Sequence, residues 1–291
     1  VSTYTATWTA ADGTTIELND PAGSGVRIVE GASGLDAPPV ALNISGLVGR
    51  DGGVLTNRRR PSRALVLPLV VTSTSRVMDT VGELARKLQG PGTLVLDDGT
   101  NTRTLRDIVY EAGIDGPMTR ETHLVPSPGL QYRKMVVSLI ALDPWWYGAE
   151  TSFELSYGAD TGFDDASVSF DDAGVGFDGS SSTATTITGD AAASPLVTIT
   201  GPFTTCQVGI AGGETLEIAA TLADGDVITV DTAAGNRGPR INNGGIDWSL
   251  LTAGSRLFDL PVGAVTFVVG ATGDGASSAV EVAYEPRLLT P

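Results

Sequence analysis

The stretch 134–148, KMVVSLIALDPWWYG, decides how this chain reads. Val136, Val137, Leu139, Ile140, Ala141 and Leu142 form a near-continuous apolar run, the pattern of a strand covered on both faces. Pro144 has no backbone N–H, so the ladder must end near it. Trp145, Trp146 and Tyr147 then follow at the strand's exit. Three consecutive large aromatics need burial, either in the chain's own core or with at least one ring facing another subunit.

Working back toward the N-terminus, the pattern is strands plus one helix. Tyr4, Ala6 and Trp8 alternate with threonines, and an Asp12-Gly13 turn leads to Ile16-Glu17-Leu18, a hairpin pattern. Residues 63–71 (RALVLPLVV) form another strand, with Pro68 pushing it toward an edge or a bulge. Over 76–89, Val77, Val81, Leu84, Ala85 and Leu88 make one apolar stripe at helical spacing. Ser75 is the expected N-cap, Asp79 sits in the first turn, and Arg86 and Lys87 lie near the negative end of the dipole. Gly90 and Pro91 stop the helix. Leu94-Val95-Leu96, an Asp97-Asp98-Gly99 turn and residues 102–108 make a second hairpin, Gly99 taking positive φ without steric cost.

Beyond residue 150 the character of the chain changes. Residues 1–150 hold 14 Lys and Arg against 16 Asp and Glu, a net of −2, whereas residues 151–291 hold 4 against 18, a net of −14. That asymmetry predicts a boundary near residue 150, and an acidic second half repels phosphate backbones, arguing against nucleic-acid binding there. The expected division is 1–150, a linker over 151–192, and 193–291. The linker contains a seven-residue repeat: Phe163, Phe170 and Phe177 are each followed by Asp164, Asp171 and Asp178. Its phenylalanines are read as docking intermittently on a neighbouring surface. The alternative is a calcium site, although the spacing is not that of the twelve-residue EF-hand loop. Residues 180–190, rich in Ser, Thr, Ala and Gly, are expected to be exposed. From Pro195, strands are predicted over 196–200, 207–210, 215–222, 226–231, 256–260, 264–269 and 278–284, separated by Gly, Asn and Asp. Short strands at that spacing indicate an antiparallel β-sandwich. The fold expected for the whole chain is therefore mainly β with one α-helix.

The chemistry on offer is thin. His123, the one imidazole, stands in THLVPSPG with no nucleophile elbow beside it. Zinc sites draw on several Cys or His, and Cys206 is the single cysteine, read as a small buried hydrophobe. Gly52-Gly53 and Gly244-Gly245 read as turns, and no phosphate-binding loop is present. Paired carboxylates of the glycosidase kind arise by chance in so acidic a chain. No catalytic, cofactor-binding or metal residue is therefore assigned. No apolar run approaches the roughly 20 residues needed to span a bilayer, and no signal peptide is expected. The basic cluster Arg58, Arg59, Arg60 and Arg63 is expected to face the acidic surface of a neighbouring copy or to sit solvated in a loop, with a nucleic-acid or anionic-surface patch as the alternative. With Trp145 and Trp146 it makes the candidate subunit interface. Trp248, in a loop-like stretch, is read first as a core plug, with a candidate sugar platform as the alternative.

Assembled in order, these stretches resemble a siphophage distal tail protein. The resemblance runs through 47–53 (LVGRDGG) and the arginine-containing loop after it, the strand from Leu65, the single helix with the 94–96 hairpin, and the strand ending Leu142-Asp143-Pro144-Trp145-Trp146-Tyr147-Gly148. It continues through 195–202 (PLVTITGP), 225–231 (GDVITVD), Asn242-Asn243-Gly244, the Leu260-Pro261-Val262-Gly263 turn and the closing Tyr284-Glu285-Pro286. It implies a virion protein at the distal end of a long non-contractile tail, assembled in the host cytoplasm. It implies a first domain that closes into a hexameric ring around the tail channel. It implies a second domain, a galectin-like or carbohydrate-binding-module-like sandwich, on the ring's outside. The partners implied are other copies of the chain, the tail tube protein, tail-tip hub proteins and host cell-wall glycan; no cofactor and no membrane insertion are implied. A tail-associated hydrolase is the remaining alternative.

Overall fold

The structure is a computed structural model that describes residues 4–20, 22–46, 51–73, 76–114, 131–155, 179–273 and 277–291. The Phe-Asp repeat up to Phe177-Asp178, His123 and Ser75 lie outside the described residues. The chain divides into two compact units, Val1–Gly148 with Leu288–Pro291, and Ala149–Arg287.

The first unit is an antiparallel sheet that nearly closes on itself. Its strands run in the order Thr15–Glu17, Thr5–Ala10, Gly92–Asp97, Thr102–Ala112, Gln131–Ala141, Arg63–Ser73, Val26–Ile28 and Asn19–Asp20. The first and last members of that order are one stretch of chain, and Leu18 N donates to Ala6 O at 2.6 Å across the join. Leu65, Leu67, Leu69 and Val71 from one strand meet Met135, Val137, Leu139 and Ala141 from the next, all buried. The helix Val77–Leu88 buries Val81, Leu84 and Leu88 against the same core. Trp8 is fully buried, and its Nε1 donates to Lys87 O at 2.9 Å, fixing the helix's last turn. On the neighbouring strand, where Gly92 pairs with Ala10, a Cβ on Gly92 would lie 2.2 Å from Trp8 Cζ2, so a side chain there would force the Trp8 ring to shift.

Two expectations change here. The apolar run 136–142 is not covered on both faces within one chain. Val136 is 51% and Leu142 60% exposed, while the alternate residues fill the core, because a closed antiparallel sheet has one inside and one outside. Pro68 is not at an edge: it pairs with Val136 in the middle of the sheet. Its missing N–H faces the gap between Ile28, where one neighbouring strand ends, and Ser33, where the chain rejoins at Val66. Val29 N still donates to Pro68 O at 2.9 Å, so Pro68 leaves no buried donor unmatched.

The second unit is an antiparallel sandwich, as the strand spacing predicts. One sheet runs Thr151–Glu154, Ala279–Tyr284, Leu196–Thr200, Val227–Asp231, Gly238–Ile241; the other runs Gly179–Ile187, Gly263–Thr272, Thr205–Ile210, Thr215–Ile218. Val197, Ile199, Ile228, Val230, Val280 and Val282 face Val208, Leu216, Val265, Phe267 and Val269 in one core. Phe153 packs on Phe267 with ring centroids 5.3 Å apart. Cys206 is buried there and its thiol is pushed up to about 12 by desolvation, which leaves it unreactive at neutral pH. Strands Thr151–Glu154 and Gly179–Ile187 fall where a linker was expected, while the exposure expected over 180–190 holds at Ser182, Ala184 and Thr186. Threonine favours strands as strongly as it favours surfaces, and only Ile187 signals the inward face. The 256–260 stretch forms no strand; Leu260 alone bridges to Ala193. Gly238–Ile241 escapes sequence reading because Gly238 and Pro239 both argue against a strand.

Candidate assembly surface

The two strands Ala41–Gly46 and Gly53–Arg59 form a ribbon of their own, hydrogen-bonded to no other strand among the described residues. Nearly every residue of this arm is exposed. Leu42 faces Arg58 and Ile44 faces Leu55 across the pair, which sets Leu42, Ile44 and Leu55 on one side. Ile44 is 64%, Leu55 54% and Leu42 53% exposed. A lone two-stranded ribbon is marginal in water, and an apolar side of this kind is retained for something to cover. The outer face of the closed sheet supplies a second apolar strip on the same unit. Val136 stands across from Pro68 there, and Ile140 stands across from Ala64 and Val109.

The arginine cluster divides along its length. Arg58 and Arg59 are exposed on the arm. Arg60 is half-buried, its guanidinium 5.0 Å from the Trp145 ring centroid and its Nη1 donating to Pro38 O at 3.1 Å. Arg63 is wholly buried. It donates to Gly34 O (3.2 Å), Leu35 O (2.8 Å), Pro144 O (2.6 Å) and Leu289 O (3.3 Å), and it lies 5.7 Å from the Trp146 ring. Burial, with Arg60's charge adding to it, pulls its guanidinium down to about 10, so it stays charged at neutral pH. Four carbonyl dipoles and an aromatic face replace the carboxylate that a buried arginine usually takes.

The aromatic triplet follows the same logic. Asp143 Oδ1 accepts from Trp145 N at 3.1 Å and Oδ2 from Tyr147 Oη at 2.5 Å, which folds the turn. Trp146 is buried and donates from Nε1 to Leu35 O at 2.9 Å. Arg106 lies 4.8 Å from the Tyr147 ring. Each of the three rings therefore carries its own arginine. Arg63 and Trp146 are spent inside the protomer and are not free to meet another copy, which corrects their place in the expected interface. The exposed Arg58 and Arg59, and the half-buried pair Arg60 and Trp145, are the part of that set within a partner's reach. The signal for Arg63 was in the sequence: it shares parity with Leu65, Leu67, Leu69 and Val71, so it belongs to the inward face. The arm's apolar side was missed because Leu42, Ile44 and Leu55 are interrupted by polar residues and a bulge after Asn43.

In the second unit Trp248 opens a short 3-10 turn and is 54% exposed, so it is not a core plug; Phe258 and Phe203 fill that core instead. Ile246, also exposed, lies with it beside Gly238. Asp12, Asp98, Asp226 and Asp247 are held below the ordinary carboxylate range. The first cause is a hydrogen bond from Thr14, Asn101, Asn242 and Ser249 respectively, so each acts as a turn cap. Among the described residues no cluster of three His, Cys, Asp or Glu forms a metal-sized site, and no helix is long and apolar enough to cross a membrane.

No protein-family model and no curated protein matches the chain. Its fold matches solved structures over almost the whole length. The crystal structure of the phage SPP1 Dit (gp 19.1) protein, described as a paradigm of the hub adsorption apparatus in phages infecting Gram-positive hosts, aligns with a TM-score of 0.68 at 16% identity, covering 98% of this chain and 99% of that one. A chain of the phage P2 baseplate, in its activated conformation with Ca, aligns with a TM-score of 0.52 at 12% identity, covering 99% and 100%. The expected resemblance to a siphophage distal tail protein is thus borne out at the level of the fold.

Proposed function

We propose that this chain is a structural component at the distal end of a phage tail, six copies of which close into a ring that joins the tail tube to the tail-tip or baseplate hub. The fold shared with a hub protein and a baseplate chain supports the setting. The observation that carries the reading is the arm. An exposed ribbon with apolar Leu42, Ile44 and Leu55, and a separate apolar strip at Val136 and Ile140, are two different patches on one unit. A contact between unlike patches is head-to-tail, and head-to-tail contacts close into rings when the rotation allows. Arm on strip buries apolar area from both copies, and a stable contact of this kind covers more than about 1,000 Å². Arg58 and Arg59, at the arm's base, steer it toward carboxylates of the next copy. Tail tube and hub proteins are the further partners.

Negative-stain imaging and native mass measurement of the purified chain, alone and with tail partners, test this. Closed rings of six are expected; a chain that stays monomeric at high concentration and forms no ring with its tail partners contradicts it.

A second reading attaches to the exposed Trp248, whose ring stands out beside Ile246 as a stacking platform for a host cell-surface sugar. A glycan array with no hits, together with unchanged tryptophan fluorescence on titration with cell-wall fragments, removes it.

A further inference from the structure

The sandwich has four edge strands, and three are guarded. Thr215–Ile218 is four residues long and is overlaid by further chain, Thr252 N donating to Glu217 O at 3.0 Å and Arg256 N to Thr215 O at 2.9 Å. Gly238–Ile241 contains Pro239, whose carbonyl accepts from Asp247 N at 2.9 Å. Thr151–Glu154 is four residues long and carries an exposed Glu154. These are the devices by which proteins blunt sheet edges: shortness, charge, proline and cover.

Among the described residues the fourth edge has none of them. Gly179–Ile187, GSSSTATTI, runs nine residues with no charge and no proline. Its neighbour Gly263–Thr272 turns Thr266 O away from it, toward Ala211 N at 2.9 Å. By the alternation of an antiparallel ladder, Val265 and Phe267 then bond inward to Thr185 and Thr183. Ser182, Ala184 and Thr186 therefore turn their N–H and C=O groups outward, and their side chains are exposed. Among the described residues nothing pairs with that row. A row of outward donors and acceptors at strand spacing is complementary to one thing, an extended polypeptide.

We propose that Gly179–Ile187 is a strand-addition site for an extended, net-positive segment of another protein. Charge decides the sign of the partner. Residues 151–291 carry a net of −14, so a second sandwich is repelled, whereas a strand bearing Lys or Arg is attracted and steered. The site holds whether or not the first units close into a ring, since it uses no residue of that contact.

The test uses the full chain and a capped nine-residue peptide in which lysine and threonine alternate with valine, read by amide hydrogen exchange. On addition of the peptide, exchange at Ser182, Ala184 and Thr186 slows by at least about tenfold while the inward amides of Thr183 and Thr185 do not change. The same peptide with glutamate for lysine, or N-methylated at alternate residues, gives no protection. Ala184→Pro removes one outward N–H and no ladder bond, so it abolishes protection at an unchanged unfolding midpoint. Should that variant fold poorly, the N-methylated peptide makes the same comparison on the unaltered chain. The proposal is overturned if the outward amides are already slow in the free chain, if the lysine peptide protects nothing at millimolar concentration, or if the glutamate peptide protects equally.

Discussion

Arg58 on the arm and Arg63 at the start of the next strand stand five positions apart, each near large apolar side chains, and they end in opposite environments. Arg63, with Trp146, is sealed inside the first unit and donates from its two Nη atoms to four carbonyls. Arg58, with Leu42, Ile44 and Leu55, stands in water on a ribbon that touches little of its own unit. What differs is not composition but whether the strand has neighbours on both sides. Arg63–Ser73 lies between two strands and has an inside; among the described residues Gly53–Arg59 has a single partner strand and no inside. The first cluster holds the fold, and the second is left for assembly.

Each half of that contrast can be broken separately. The largest effect belongs to Arg63→Ala. It takes a charged donor from four carbonyls, of which Leu35 O keeps Trp146 Nε1, and leaves a void beside Trp146, and it costs the first unit about 3–5 kcal/mol, on the scale of a broken buried charged network. Calorimetry checks this as a fall in the first unit's transition with the second unit's unchanged. A fully stable R63A chain that no longer assembles returns Arg63 to the interface. Gly92→Ala comes next. Its Cβ meets the fixed Trp8 ring, and overpacking costs about 1–3 kcal/mol in urea unfolding; no loss means the ring beneath the helix is free to shift. Trp145→Ala sharpens the boundary between the two clusters, because the Arg60 stack is half exposed and contributes only about 0.5–1 kcal/mol, measurable by a double-mutant cycle with Arg60→Ala.

The sequence made one cluster's scaffold plain and the other's role obscure. The 15–20 and 5–10 hairpin, the helix and the 92–112 hairpin follow from periodicity, since Trp8, Leu94 and Leu84 each repeat at the spacing of their element. Which arginine sits on which ring does not follow, because Arg106 and Tyr147 are brought together by a register set far away in the chain. The Asp-Pro-Trp-Trp-Tyr turn was legible as a stop and as an aromatic cluster. That its middle ring is buried and its outer two are half covered depends on the 34–36 loop, whose Leu35 carbonyl takes both Trp146 and Arg63. Gly179–Ile187 was misread for a different reason: serine and threonine serve exposed strands and loops alike, and only pairing with Gly263–Thr272 tells them apart.

The smallest effect on stability is expected where the effect on assembly is largest. Ile44→Asp with Leu55→Asp replaces two exposed side chains, so it changes unfolding free energy by no more than about 0.5 kcal/mol. Native mass measurement of this double variant beside the unaltered chain, under conditions where the latter forms rings, tests the account most directly. Six-copy rings from the unaltered chain and monomers from the variant are expected; rings of equal abundance from both contradict an arm-mediated contact.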